Sequence, residues 1–189
     1  MTPARPHSVA PQKGRRNTPT IYLVRHAKAE NRERWEHPDS ERPLTKRGLE
    51  QSRIIASHLA DLDKRSPRRV LSSPAVRCRQ TVEPLAAACK LEVVEASWLH
   101  EGSDPDGAFD QLRKLAARLD PASGLGGPVV ACTHGDVVWG ILERLHRLGV
   151  DLGPQPDAPK GGVWIIGATP ATASTATFYQ PDEGRRVRA

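Results

Sequence analysis

The 189-residue chain reads as an α/β protein, a three-layer α/β/α sandwich on a mainly parallel central sheet. Three observations carry that expectation. Short apolar, β-branched runs recur at 20–24, 69–72 and 129–132, and each stops abruptly in polar or charged residues. That is the profile of a strand buried on both faces whose end opens onto a site. Segments with apolar residues at helical spacing separate those runs. The alternation itself favours helical crossovers, and therefore parallel strands covered by helices on both sides. At this length one domain with a substantial core is expected rather than two.

Residues 1–19 contain no acidic residue, no apolar signal core and several Pro and Arg, so they read as a disordered basic tail rather than a secretory signal. The domain proper is placed at 20–179, beginning with the strand 20–24. A polar loop, 28–43, carries Trp35 and much charge. Thr45 then caps a helix whose apolar face is Leu49, Ile55, Ala56, Leu59 and Leu62. After the strand at 69–72, Pro74 suits the first turn of a second helix with a stripe of Cys78, Val82, Leu85 and Cys89. A weaker apolar pattern at 91–94 reads as the third strand.

The segment 102–107 is a turn-rich loop, followed by a helix with Ala108, Leu112, Leu115 and Leu119 on one face. A break at 124–128 precedes the continuous apolar strand 129–132, which stops at Thr133-His134-Gly135-Asp136. The next helix is expected to bury Val137, Ile141, Leu145 and Leu148. A Pro/Gly loop, 149–162, leads to 163–166 and 176–179, which read as a closing hairpin or an adjacent pair. Residues 180–189 are a second tail.

Composition excludes several classes. No apolar stretch approaches the roughly 18 residues a membrane span requires, so a cytoplasmic protein with no membrane partner is expected. Cys78, Cys89 and Cys132 are odd in number and widely spaced, which fits reduced buried thiols and not a disulfide framework or a zinc site. The formal net charge is +6, much of it in the tails, and aromatic residues are 4% of the chain. So few stacking groups argue against a nucleic-acid partner.

The chemistry gathers at strand ends. His26 and His134 each lie just past a buried run, so if the two strands are neighbours both imidazoles enter one cleft. Arg25 accompanies the first, and Arg77 falls near a strand end and a helix start, where backbone donors also favour an anion. Two histidines with two arginines suit a phosphate: guanidinium offers paired donors and stays charged, and its charge keeps a nearby imidazole neutral and nucleophilic. Glu101, after the third strand, is the candidate proton donor, with Asp104 and Asp106 as nearby substitutes. Lys28, Arg32, Arg34 and Arg42 are candidates for the distal part of a substrate. Trp35 and Trp139 read as packing residues, and Thr45 as a cap. Arginines beside both histidines would repel a divalent cation, so no metal and no cofactor are expected.

Four motifs follow in order: Leu23-Val24-Arg25-His26-Ala27, Pro43-Leu44-Thr45-Lys46-Arg47-Gly48, Ser72-Ser73-Pro74-Ala75-Val76-Arg77-Cys78-Arg79-Gln80-Thr81 and Thr133-His134-Gly135-Asp136. Together they resemble the histidine phosphatase superfamily, which includes phosphoglycerate mutases and phosphohistidine phosphatases, over about 20–178. The resemblance implies a phosphoglycerate mutase-like fold and a metal-independent phosphatase. It makes His26 the phosphorylated nucleophile, with Arg25, Arg77 and His134 on the transferring group and Glu101 as proton donor. One departure is Ala27, where the common motif has Gly. Arg-His-Ala-Lys, together with Lys160-Gly161-Gly162-Val163-Trp164, looks closest to small phosphohistidine phosphatases and to phosphatase domains fused to Nudix domains; no Nudix segment is read in this sequence. That subgroup implies a phosphohistidine protein, a nucleotide or another phosphorylated small molecule as partner, with a mutase-like phosphotransferase or a non-catalytic phosphate-binding module as alternatives.

Overall fold

The computed structural model describes residues 19–60, 62, 66–119, 126–154, 156–168 and 173–180. The expected N-terminal tail lies almost wholly outside these residues, as do Gly124 and nearly all of the C-terminal tail. The elements run β1 (Thr20–Arg25), α1 (Lys46–Ala60), β2 (Arg69–Ser72), α2 (Val76–Ala88), β3 (Val93–Glu95), α3 (Pro105–Arg118), β4 (Val129–Thr133), α4 (Gly135–Arg147), β5 (Val163–Ala168) and β6 (Ala173–Tyr179). They form one six-stranded sheet in the order β3-β2-β4-β1-β5-β6. The β3/β2, β2/β4 and β4/β1 pairs are parallel, and β5 and β6 add antiparallel on the far side of β1.

Alternation along each strand sorts side chains between two cores. Ile21 and Leu23 of β1, Leu71 of β2, and Val129 and Ala131 of β4 face α3 and α4, where Phe109, Leu112, Ile141 and Leu145 cover them. Tyr22, Val24, Val70, Val130 and Cys132 point the other way, onto Ile55 and Leu59 of α1 and Cys78, Val82 and Leu85 of α2. This is the expected three-layer sandwich. Each fully buried Leu, Ile or Val stabilises it by roughly 1.5–3 kcal/mol.

Several local expectations are corrected. Leu49 is 36% exposed and Leu148 50% exposed; the buried face of α1 runs through Gly48, Ser52, Ile55, Ala56 and Leu59, and α4 buries Val138 and Leu142 instead. Pro74 precedes α2, whose N-cap is Ala75. The third strand begins two residues later than expected and ends one residue later, and it is mostly exposed. The predicted loop 102–107 already contains the start of α3: the Asp104 carboxylate accepts hydrogen bonds from the Asp106 and Gly107 N–H groups, and Pro105 occupies the first turn.

The topology positions the site. Register pairing sets Arg25 beside Thr133 and Ser72 beside Cys132. The C-terminal ends of β1, β2 and β4 therefore meet at one edge of the sheet, where α/β proteins place their ligands. His26, Ser73 and His134 each follow one of these ends directly.

Candidate active site

The backbone just after β1 is clamped before any side chain acts. The Thr45 N–H and hydroxyl both donate to the Lys28 carbonyl, at 2.9 and 3.1 Å, and the Thr45 hydroxyl accepts from Gly48 N–H at 3.0 Å as the helix cap. Gly48 is required at this crossing, because a Cβ there would lie 2.0 Å from the Lys28 carbonyl oxygen. The Ala27 N–H donates to Thr81 Oγ1 at 3.0 Å, and the Thr81 hydroxyl donates to the Arg77 carbonyl at 2.6 Å. Ala27 is fully buried with Ala29 and Leu44, so its methyl group has a packed place where the common motif carries Gly.

His26 is 6% exposed. Its Nδ1 lies 2.8 Å from the Ala27 carbonyl oxygen, an acceptor only, so Nδ1 carries the ring hydrogen. Nε2 is left with a free lone pair. Burial above all lowers the His26 pKa to about 3; the Ala27 carbonyl pulls it upward, and His134, Arg77 and Arg25 push it further down. The imidazole is therefore neutral across the physiological range, as a nitrogen nucleophile must be.

His134 meets His26 edge-on, with ring centroids 5.5 Å apart. Its Nδ1 lies 3.2 Å from Arg77 Nη2 and its Nε2 lies 2.8 Å from Ser73 Oγ. Guanidinium only donates, so Nδ1 accepts and Nε2 carries the hydrogen toward Ser73. Arg77 is 1% exposed and donates to the Asp39 carbonyl at 2.7 Å and to Glu101 Oε2 at 2.8 Å. Arg25 donates through Nη1 to the Ala158 carbonyl at 2.5 Å. Gly135 leaves room for it, since a Cβ there would stand 2.9 Å from Arg25 Cζ. The Nε donors of Arg25 and Arg77 are buried with no hydrogen-bond partner among the described residues, a cost of roughly 1–3 kcal/mol each.

Glu101 lies in the site, accepting from Arg32 at 2.7 Å as well as from Arg77. Its Oε2 is 3.9 Å from His134 Nδ1. The loop that carries it is tied down on both sides: the Thr133 hydroxyl donates to the Leu99 carbonyl at 2.6 Å, and Gly102 N–H donates to Asp136 Oδ2 at 2.6 Å. Asp104 and Asp106 are engaged elsewhere. Asp104 caps α3, and Asp106 pairs with Arg144 and Arg147.

A cleft of about 620 Å³ opens beside these groups, lined by Arg25, His26, Lys28, Arg32, Arg42, Glu101 and Lys160 among others, while the buried Arg77 and His134 are not part of its lining. Arg42 is nearly buried and donates to Asp39 Oδ1 at 2.8 Å and to the Glu30 carbonyl at 2.8 Å. Lys28 and Arg32 are exposed. Arg34 does not line the cleft. Trp35 folds onto its own loop, donating to the Pro38 carbonyl at 3.1 Å, and Trp139 lines a separate apolar cavity of about 530 Å³ that contains none of the site residues. Among the described residues, no three His, Cys, Asp or Glu side chains are grouped as metal ligands, and no helix is long and apolar enough to cross a membrane.

Asp39 is the residue that sequence reasoning missed. Burial opposes its ionisation, but hydrogen bonds from Arg32 and Arg42 and the charges of Arg77 and Arg42 outweigh that and hold the carboxyl well below the usual carboxylate range. Nothing in the pattern of the loop separates Asp39 from Glu33, Glu36 or Glu41. Ser73, Thr81 and Asp136 lay within recognised motifs, and their motif positions were the available signal.

Comparison with known proteins bears on the sequence and the fold. The sequence model of the histidine phosphatase superfamily (branch 1) matches residues 21–114. An 8-oxo-(d)GTP phosphatase of Mycolicibacterium smegmatis is 28% identical over 170 residues, 88% of this chain and 50% of the relative, so the chain spans half that protein's length. The probable phosphoglycerate mutase GpmB of Shigella dysenteriae is 35% identical over 82 residues, 43% of this chain and 37% of the relative. Among solved structures, the protein histidine phosphatase SixA in complex with tungstate superposes with a TM-score of 0.66 at 22% identity, over 85% of this chain and 94% of that one, a likeness of fold. On its four ordered motifs, its sheet topology and these matches, the chain belongs to the histidine phosphatase superfamily.

Proposed function

We propose that this protein is a metal-independent phosphatase that hydrolyses a phosphohistidine or nucleotide-type phosphate through a phosphohistidine intermediate on His26. The observation that carries the reading is the state of His26: a buried neutral imidazole, its Nδ1 hydrogen committed to Ala27, its Nε2 lone pair free, ringed by Arg25, Arg77 and His134. In the first step Nε2 attacks phosphorus in line, the N–P bond forms and the bond to the leaving group breaks. Arg25 and Arg77 hold the equatorial oxygens, as oriented cationic donors do for a transferring phosphoryl group, with His134 beside them in the same centre. Where the leaving group is an alkoxide, Glu101 supplies its proton. Water then attacks the phosphohistidine, the N–P bond breaks, and neutral His26 is regenerated.

Lys28 and Arg42, at the cleft wall, contact the rest of the substrate. The likeness to an 8-oxo-(d)GTP phosphatase supports the nucleotide side of this reading. A second reading, transfer of the phosphoryl group to another hydroxyl, is favoured by the 35% identity with the GpmB mutase and uses the same core. The test is His26→Ala: it is expected to abolish both turnover and the acid-labile phosphate trapped on the wild-type protein after mixing with substrate. A variant that still turns over refutes the mechanism. Product analysis separates free phosphate from a phosphorylated acceptor and so decides between hydrolase and mutase.

A further inference from the structure

The cleft over His26 holds more positive charge than one phosphoryl group needs, and the surplus is local. Arg32 and Arg77 share the carboxylates of Asp39 and Glu101, and Arg42 pairs with Asp39. Arg25, Lys28 and Lys160 line the same cleft, against one further acidic residue, Glu30, and none of the three cations has an ion-pair partner among the described residues.

Lys160 is held there by the backbone. The turn that carries it is bonded to the strand end that carries His26: Arg25 N–H donates to the Gly162 carbonyl at 3.0 Å, and Gly161 N–H donates to the Arg25 and His26 carbonyls at 3.1 and 3.2 Å. Gly161, at φ 78°, adopts the left-handed conformation this turn requires. Lys28 is fixed in the same way, its N–H on Gln51 Oε1 and its carbonyl under Thr45. Partial burial, then the charges of Arg25, Arg42, Lys28 and Arg32, lower the Lys160 pKa, so these cations repel one another across the cleft.

We infer that Lys28 and Lys160, sharing Arg25 with the catalytic centre, form a second anion subsite, and that the substrate is a phosphoric anhydride whose second phosphate binds there. The inference rests on the His26 mechanism above. The transferred phosphoryl sits on His26, Arg25, Arg77 and His134, and the adjoining phosphate meets two flexible ammonium groups, each able to hold it as a point charge. In the step, the His26 Nε2–P bond forms, the bridging P–O bond breaks, and its electron pair leaves on the departing phosphate, whose charge the lysines stabilise. No proton from Glu101 is needed, which suits a carboxylate that two guanidinium groups contact at 2.7 and 2.8 Å. A phosphohistidine peptide carries one phosphoryl group and presents no second phosphate to the lysines.

The experiment compares ADP, AMP and a phosphohistidine peptide on the wild-type chain, Lys160→Ala and Lys28→Ala/Lys160→Ala. Dissociation constants for ADP and AMP are measured in the His26→Ala background. The wild-type kcat/KM is expected to favour ADP over AMP by about tenfold or more, and the double variant to lower the ratio of ADP to peptide kcat/KM by about tenfold. In His26→Ala, ADP should bind more tightly than AMP, with the difference lost when the lysines are removed. Equal losses on all three substrates, or a preference for AMP or the peptide, overturn the subsite while leaving the His26 mechanism standing. If His26→Ala still turns over but binds ADP through the lysines, the mechanism falls and the subsite survives; no turnover and no lysine-dependent ADP preference overturn both.

Discussion

Replacing His26 with Asn tests the claim on which the chemistry depends, that the fold holds this imidazole neutral. The amide can keep the hydrogen bond to the Ala27 carbonyl that Nδ1 makes at 2.8 Å, so the perturbation is mainly loss of a titrating group. In the folded chain the His26 pKa is lowered from 6.5 to about 3, first by burial. Below pH 6.5 the unfolded chain binds a proton there and the folded chain does not. Stability from His26 is therefore fully present above the unfolded value and lost as pH falls from 6.5 toward 3. Between about pH 7.5 and about pH 5 the loss is about 2 kcal/mol, from 1.36 kcal/mol per pH unit over the roughly 1.5 units below the unfolded value.

The assay is urea unfolding of the wild-type and His26→Asn chains at both pH values. Other groups titrate in both proteins and cancel in the double difference. The wild type should lose about 2 kcal/mol more than the variant on acidification. Equal losses in the two chains would mean that His26 protonates normally in the folded state, and the argument for a buried neutral nucleophile would fail with it.

Two further outcomes follow from close contacts. Gly48→Ala sets a methyl carbon against the backbone oxygen of Lys28, 2.0 Å away, with Leu44 Cβ at 3.1 Å. Neither the carbonyl nor the helix can rotate away, so denaturant unfolding should show a loss of about 2 kcal/mol or more; a neutral substitution would show that the clamp under His26 is loose. Asp136→Ala removes the acceptor for Gly102 N–H and frees one side of the loop that bears Glu101. It should lower kcat by about tenfold for a substrate that leaves as an alkoxide, and much less for a phosphohistidine peptide. Equal effects on the two substrates would remove Asp136 from the positioning of a proton donor.

What was legible in the sequence was what depends on local pattern and strand ends. Continuous apolar runs gave β1, β2 and β4 within a residue of their bounds, because strands buried on both faces tolerate few polar residues. Their parallel register then brought His26 and His134 together without further information. The errors fall where tertiary packing decides. Leu49 and Leu148 fit a helical stripe, yet helix ends turn such positions outward; β3 is short and mostly exposed, so it lacks the apolar signature of a central strand. Asp39 was hidden, and the place of Lys160 in the site could not be read from its motif, for a different reason. Each takes part in the site only because a loop is bonded back onto it, Asp39 through Arg32, Arg42 and Arg77, and Lys160 through the hydrogen bonds of Gly161 and Gly162 to the backbone of Arg25 and His26. The centre proposed for phosphoryl transfer is thus written in motifs, while the placing of Asp39 and Lys160 beside it is set by loop closure. Under the proposed anion subsite, Lys28, legible in its motif, and Lys160, placed by its loop, are where substitution should change which substrates are hydrolysed before it abolishes hydrolysis.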